Sequence, residues 1–213
     1  MTSYAQQERY GICDTFLRLG PDAPTLDDPW LTRDLAAHLH LRDARPDLAL
    51  GMVVPPLKGR LDAAMRSTAD GSWEPLVEKI RQGPPRLSPL RIERLDELAN
   101  LGEFFIHHED VLRAQPGAEH RMLDIGLERA LWDALKSGSR LFFRRVPAGV
   151  VLVAEGYGRH AAKKPTDVGT VVVRGTPGDL TLFAAGRARV ADVEVDGPPD
   201  AVAELEAADL GLG

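Results

Sequence analysis

Hydrophobic residues recur every three or four positions through most of the first 145 residues, as they do on the buried face of an α-helix. Glycine and proline interrupt the pattern at intervals and mark where helices stop. The sequence predicts helices at about residues 3–19, 32–45, 58–82 with a break near 70–71, 92–114 and 123–136. These elements predict a four-helix bundle over residues 1–140.

The pattern changes in the last third of the chain. Residues 1–145 contain four valines, whereas residues 146–213 contain twelve, and β-branched residues favour strands. Strands are predicted at about residues 149–155, 170–174, 181–184 and 191–196, followed by a last helix at about 199–208. The Gly/Pro turns between them are short enough to join neighbouring antiparallel strands. We therefore expect an α+β protein in which residues 141–213 form a small α+β domain with a mostly antiparallel sheet.

Composition excludes several classes of protein. The formal charge is −6, from 26 Lys plus Arg against 32 Asp plus Glu, and the basic residues are scattered. This argues against a nucleic-acid partner, which requires a concentrated basic face. The apolar runs are too short to cross a bilayer, and the first residues lack the apolar segment of a signal peptide. The single Cys13 cannot form an internal disulfide, which fits a reducing compartment, and it is expected to pack in the core. We therefore expect a cytoplasmic protein.

The stretch "LGEFFIHHEDVLRA", residues 101–114, puts several polar side chains into an otherwise apolar helix. Glu103 and His107 are four residues apart and share a face, with Asp110 one turn beyond, while His108 points about 100° away from His107. A Glu–His pair at this spacing is either a solvent-facing hydrogen bond or part of a metal site. A buried carboxylate needs compensation, which a metal ion supplies.

A third candidate ligand lies in the helix predicted after Trp30. Leu31, Leu35 and His38 follow the i, i+4, i+7 spacing of a buried stripe, so His38 faces the core. His40 is on the opposite side and is expected to face outward. Two helices that each turn a histidine inward favour a metal site formed by two His and one Glu. Such a set leaves one coordination position open, as in catalytic zinc sites, and it also suits nickel or ferrous iron.

With these residues in view, the chain resembles the family of mycothiol-dependent maleylpyruvate isomerases, whose N-terminal domain is a DinB-like metal-binding four-helix bundle. The resemblance is carried by "WLTRDLAAHL", residues 30–39, and "EFFIHHEDVLRA", residues 103–114. It implies that His38, Glu103 and His107 bind one divalent metal, typically zinc. Residues 170–205 look like the family's small sterol-carrier-like α+β domain. The resemblance therefore covers nearly the whole chain.

The resemblance also implies a reaction class. Mycothiol would be the thiol cosubstrate and would add to a small electrophilic substrate, giving cis–trans isomerisation or S-transfer. Mycothiol is the main low-molecular-weight thiol of actinobacteria, and the Ala-, Arg- and Pro-rich composition fits such a source.

Asp110 or His108 is the candidate proton carrier. Arg187 and Arg189, two residues apart, either anchor an anionic substrate or are a solvated pair.

Two other classes of function stay open at this point. A metal-bound hydroxide with a nearby carboxylate as base would make the protein a hydrolase. A protein that only holds a metal, or a lipid-like ligand in the C-terminal domain, would need no chemistry. In each case we expect a monomer or homodimer without a nucleic-acid or membrane partner.

Overall fold

The computed structural model describes residues 2–49, 58–86 and 88–211. The chain divides into two compact units, Met1–His120 and Arg121–Gly213. The first unit is helical and the second combines helices with a sheet, which confirms the α+β class. The division falls before the boundary predicted at residue 140. The reason is that the helix after residue 120 packs within the second unit, against β2 and α8 as defined below.

The first unit contains the helices that the hydrophobic pattern predicts. Ser3 caps the first of them, because its Oγ accepts a hydrogen bond from the backbone N–H of Gln6. Gly20, with φ 83°, ends the same helix in a backbone conformation that favours glycine. The elements of this unit are α1 (Tyr4–Leu19), α2 (Thr32–Ala44), α3 (Pro46–Ala49), α4 (Lys58–Ala69), α5 (Trp73–Gln82), a 3-10 helix (Pro89–Arg91) and α6 (Glu93–Leu112).

One hydrophobic core joins four of these helices. It takes buried side chains from α1, α2, α5 and α6: Ile12, Cys13, Phe16, Leu35, Ala36, Leu39, Leu76, Val77, Ile80, Phe104 and Val111. Helix α4 contributes Leu61 instead to a smaller cluster, together with Leu41 of α2 and Leu48 of α3. The four helices of the larger core therefore pack together, and α1 makes the most extensive contacts with α6. The predicted four-helix bundle stays a prediction.

The second unit is built on a four-stranded sheet with the strand order β2-β1-β3-β4. Strand β1 pairs antiparallel with β2 but parallel with β3, and β3 pairs antiparallel with β4. The sheet is therefore mixed, and the prediction of a mostly antiparallel sheet is wrong. The elements are α7 (Ile125–Phe142), β1 (Gly149–Ala154), β2 (Gly158–Lys163), β3 (Thr170–Gly175), α8 (Pro177–Ala184), β4 (Val193–Asp196) and α9 (Pro199–Ala207).

Strand β2, like the short helix α3, was not predicted from the sequence pattern. Of the residues of β2, "GRHAAK", only Ala162 is buried, as is usual for a strand at the edge of a sheet. After β2 the chain crosses the start of β1 to reach the other side of that strand. A Cβ on Gly149 would lie 2.8 Å from the Cα of Pro165, so the glycine leaves room for the crossing segment. The crossing makes β1 and β3 parallel.

Residues 181–184, predicted as a strand, belong to helix α8 instead. Thr176 is the N-cap: its Oγ1 accepts from the backbone N–H of Asp179 at 3.1 Å and donates to the Asp179 carboxylate at 2.8 Å. Pro177 occupies the first turn, where a missing N–H costs nothing. Thr-Pro-x-Asp is thus a helix start, although its proline and glycine also fit the turn that was predicted.

The core of the second unit lies between the sheet and its helices. Alternate residues of β1 and β3 pack against α7, α8 and α9: Val150, Leu152, Ala154, Val171, Val173, Trp132, Leu135, Leu180, Phe183, Ala201 and Leu205. Across the described residues of both units, no helix combines the length and the apolar character that crossing a membrane requires.

Candidate metal centre

Helices α2 and α6 bring the three predicted ligands together. His38 lies between the fully buried Leu35 and Leu39 on α2, and Glu103 and His107 are one turn apart on α6. One ligand atom from each of the three lies within 4.8 Å of the ligand atoms of the other two. The three side chains selected by helical phasing from the sequence therefore lie together in the structure; their role as metal ligands stays a prediction.

The shared atom of the cluster is Oε1 of Glu103. It lies 3.0 Å from His38 Nε2 and 3.4 Å from His107 Nε2. Zinc bonds to His and carboxylate ligands are about 2.0–2.2 Å long, so the edges of a tetrahedral site measure roughly 3.3–3.5 Å. Both distances are close to these edges, and the ligand atoms of the two histidines lie within 4.8 Å of each other.

Asp110 holds the imidazole of His107 from its other side. The carboxylate is fully buried, and its Oδ2 accepts a hydrogen bond of 2.9 Å from His107 Nδ1. Metal-binding histidines commonly donate their second ring nitrogen to a carboxylate, which fixes the tautomer and the direction of the ring. Asp110, predicted as a proton carrier, is therefore placed to orient His107 so that Nε2 points to Glu103.

The electrostatics of the cluster favour a cation. Burial lowers the pKa of His107, but the hydrogen bonds with Asp110 and Glu103 outweigh burial and raise that pKa to about 9. Burial raises the pKa of Glu103, but hydrogen bonds from His107 and His38 outweigh it and hold that pKa well below its usual range. Burial lowers the pKa of His38, against the opposing effect of its bond to Glu103. A site that retains a proton on His107 at neutral pH is one where a metal ion can replace that proton.

A loop residue, Asp27, approaches the same histidine and was not anticipated from the sequence. Its Oδ2 lies 3.7 Å from His107 Nδ1, and Asp27, His107 and Asp110 form a second group with the spacing of metal ligands. In that group Nδ1 is already engaged by Asp110 at hydrogen-bond distance. The group that contains His38 and Glu103 is therefore the better candidate.

Two contacts attach the loop of Asp27 to the end of α6. The backbone N–H of Leu26 donates to the carbonyl of Asp110 at 3.1 Å, and Gln115 Nε2 donates to the carbonyl of Pro24 at 3.1 Å. The indole ring of Trp30, from the same loop, packs beside the His38 ring with 5.3 Å between centroids. The loop thus forms one wall of the cluster, through tertiary contacts that a local sequence pattern does not reveal.

A second unanticipated residue, Arg42, lies on the same face of α2 as His38, four residues further on. Its Nε is 3.3 Å from Glu103 Oε1. The guanidinium already balances part of the carboxylate's charge. The cluster can therefore also be interpreted as a partly buried network of ion pairs that holds no metal. The two interpretations make different predictions for metal binding, and measuring the metal content of the protein tests them.

Two further histidines, His40 and His108, are near the proposed ligands in sequence but lie outside the cluster. His40 is half-buried and belongs to neither ligand group. His108 is buried against α1, where its Nδ1 lies 3.1 Å from Glu8 Oε2 and its Nε2 lies 3.0 Å from Thr15 Oγ1. His108 is therefore fixed between two helices on a different side of α6 from His107.

The remaining polar candidates lie outside the cluster. Asp34, four residues before His38 on α2, accepts a hydrogen bond of 3.0 Å from the backbone N–H of Leu31 at the start of the helix. Arg187 and Arg189 lie in the turn segment after α8; Arg187 Nη1 donates to the carbonyl of Ala185 at 2.8 Å, and Arg189 is exposed. Their role in substrate binding stays a prediction.

Cys13 has the environment of a packing residue. It is fully buried in the core of the first unit, and its Sγ lies 3.7 Å from the carbonyl of Val77. Burial raises the pKa of its thiol to about 12. A thiol in this state is a poor nucleophile, which agrees with the expectation from sequence.

Comparison of the chain with models of known protein families, with curated proteins and with solved structures returned no match in any of the three. The functional assignment therefore depends on the side chains of the cluster and their chemistry.

Proposed function

We propose that the protein binds one divalent metal ion through His38, Glu103 and His107 and uses it to activate a thiol. Zinc is the first candidate for the metal, with nickel and ferrous iron behind it. The thiol would be of the mycothiol type. Its sulfur would add to a small electrophile, which is then either isomerised or retained as a C–S adduct. The family resemblance of the two ligand stretches supports the thiol, and the ligand chemistry supports the metal.

The observation that carries the proposal is the convergence of both Nε2 atoms on one oxygen of Glu103. Two imidazoles and one carboxylate are a common ligand set of catalytic zinc, in which a fourth position takes water or substrate. The hydrogen bond from His107 to the fully buried Asp110 supplies the supporting carboxylate that such sites use. Neither feature is needed for a simple surface hydrogen bond between a Glu and a His.

The bound ion would supply a Lewis acid that lowers the pKa of a coordinated thiol and so makes a nucleophile available at neutral pH. The protein's own residues would keep the ligand set rigid. Asp110 keeps His107 in one tautomer, and the His38 ring is held between Trp30 and the His107 ring, whose centroid lies 5.1 Å away. The Asp27 carboxylate, about one-third exposed, lies at the solvent-facing side of the cluster.

The first test is metal stoichiometry. Purified protein dialysed against zinc should hold one zinc per chain, and His107→Ala should hold none, because a ligand is lost. His40→Ala is the matched control, since His40 is on the same helix as His38 but outside the ligand group, and it should retain the metal. Metal retained in His107→Ala and lost in His40→Ala would refute the assigned ligands.

The second test addresses the thiol. Cobalt-substituted protein titrated with mycothiol should develop sulfur-to-cobalt charge transfer in the near ultraviolet, and Glu103→Ala should not. A cobalt spectrum that saturating thiol leaves unchanged, in protein with one metal per chain, would favour the hydrolase or a protein that only stores the metal. Hydrolysis of activated esters by the zinc form would then separate those two.

A further inference from the structure

A buried ion cluster that includes a residue of α1 lies near the candidate metal centre. We call Arg9, Asp43, Asp96 and Asn100 the Arg9 cluster. Arg9 forms salt bridges with Asp43 and, at 3.1 Å, with Asp96. The Asn100 side chain donates to Asp96 at 2.6 Å and to Asp43 at 3.4 Å. Arg9, Asp43 and Asn100 are at least nine-tenths buried, so the cluster is part of the interior and links α1, α2 and α6.

Arg42 connects this cluster to the metal centre. Its Nη1 donates to the Asn100 side-chain oxygen, and its Nη2 donates to the carbonyl of Ala99 at 2.8 Å. Its Nε faces Glu103 Oε1 at 3.3 Å. The planar guanidinium is therefore fixed at three points, one of which is the candidate metal ligand.

We propose that Arg42 is the positioning residue of the metal centre, holding the Glu103 carboxylate in its ligating position through a guanidinium that the Arg9 cluster fixes. This inference rests on the proposed function. When both histidines give their Nε2 lone pairs to a metal, neither can still donate a hydrogen bond to Glu103 from that atom. Among the described contacts of Glu103, the one with Arg42 then remains to orient the carboxylate.

The positive charge of Arg42 by itself lowers metal affinity, because it repels a cation, and so opposes the gain from orienting Glu103. Within the described residues, however, Arg42 and Arg9 are matched by Asp43 and Asp96, with Asn100 bonded to both aspartates. The repulsion is therefore partly compensated, and the loss of orientation is the larger effect of removing Arg42. Partners of this kind typically contribute about 10–100-fold to metal affinity.

The test compares Arg42→Met and Arg42→Lys with the wild-type protein. Zinc affinity is measured by competition with a chromophoric chelator, and ligand geometry by the visible spectrum of the cobalt form. Both variants should bind zinc about 10–100-fold more weakly, with an altered cobalt spectrum, because lysine keeps the charge but cannot make the three fixed contacts. Arg33→Met is the matched control: Arg33 is on the same helix and pairs with Asp22, and its loss should leave zinc affinity unchanged.

The outcomes separate the alternatives. If Arg42 acted only through charge, Arg42→Met would bind zinc more tightly and Arg42→Lys would match the wild type. If it acted only on folding, both variants would unfold at lower temperature with unchanged zinc affinity and cobalt spectrum. Either result would overturn this inference while leaving the metal site intact. A wild-type protein that does not bind zinc would instead overturn the proposed function, and this inference with it.

Discussion

At the scale of single residues, His107 and His108 show how neighbours in the chain acquire separate roles. His107 faces Glu103 and Asp110, whereas His108 is bonded to Glu8 on α1. The environment of His107 raises its pKa to about 9, after burial is outweighed by its carboxylate partners. His107 is therefore protonated at neutral pH in the metal-free protein and must lose that proton to bind a metal.

We predict that zinc binding is linked to pH through His107. Zinc should displace about one proton per chain near pH 7, and the affinity should rise with pH until His107 deprotonates near pH 9. Calorimetric titration in buffers with different ionisation enthalpies measures the protons released. Above pH 9 the release should disappear. Zinc binding at pH 7 without proton release would contradict the assignment of His107 as a ligand.

At the scale of elements, the contact between α1 and α6 depends on a glycine. A Cβ on Gly11 would lie 2.9 Å from Cε1 of His108, so the imidazole packs directly on the α1 backbone. The position of His108 against Glu8 and Thr15 follows from this close approach. The helix pair is therefore sensitive to one methyl group at this point.

We predict that Gly11→Ala lowers the free energy of unfolding by about 1–3 kcal/mol, because overpacking in a close-packed interior displaces the ring or the helix. Gly102→Ala is the control. Gly102 is within α6 and a Cβ there meets nothing within 4 Å, so alanine should be neutral or stabilising by about 0.5–1 kcal/mol. Denaturant unfolding of both variants provides the comparison. Equal effects of the two substitutions would show that the close approach to His108 is not tight.

The elements also show what the sequence could and could not predict. His38 on α2 and Glu103 and His107 on α6 lie near one another as the sequence predicts, because a helix puts residues at fixed angles. Arg42 and Asp27 were missed, since their approach to the site depends on tertiary contacts. Helix α8 was misread because Thr176-Pro177-Gly178 fits both a turn and a helix start. Strand β2 was missed because an edge strand does not need an apolar face.

At the scale of the whole molecule, the candidate metal ligands all belong to the first of the two compact units. His38, Glu103, His107 and the supporting Asp110 lie within Met1–His120, and they join α2 to α6. A metal that binds the folded form alone stabilises it, by about 2.7 kcal/mol at a free concentration 100 times its Kd.

We predict that zinc increases the hydrogen-exchange protection of backbone amides in the first unit, most strongly in α2 and α6. Amides of α7 and of the sheet should change less, because the second unit contributes none of the proposed ligands. Exchange measured by mass spectrometry with and without zinc resolves these segments. The His107→Ala protein should show no zinc effect. Protection confined to the second unit would place the metal elsewhere in the chain.

The shared oxygen of Glu103 also has a practical consequence for handling the protein. Without a metal, the carboxylate has partners in His38, His107 and Arg42, so removing a bound ion would not leave its charge unpaired. Stripping with a chelator at mildly acidic pH should then be reversible, with reconstitution by adding metal as the pH is raised. If the proposed site binds metal, the metal content of a preparation would accordingly depend on the pH and chelators of its purification, and different metals should be exchangeable into the same batch of folded protein.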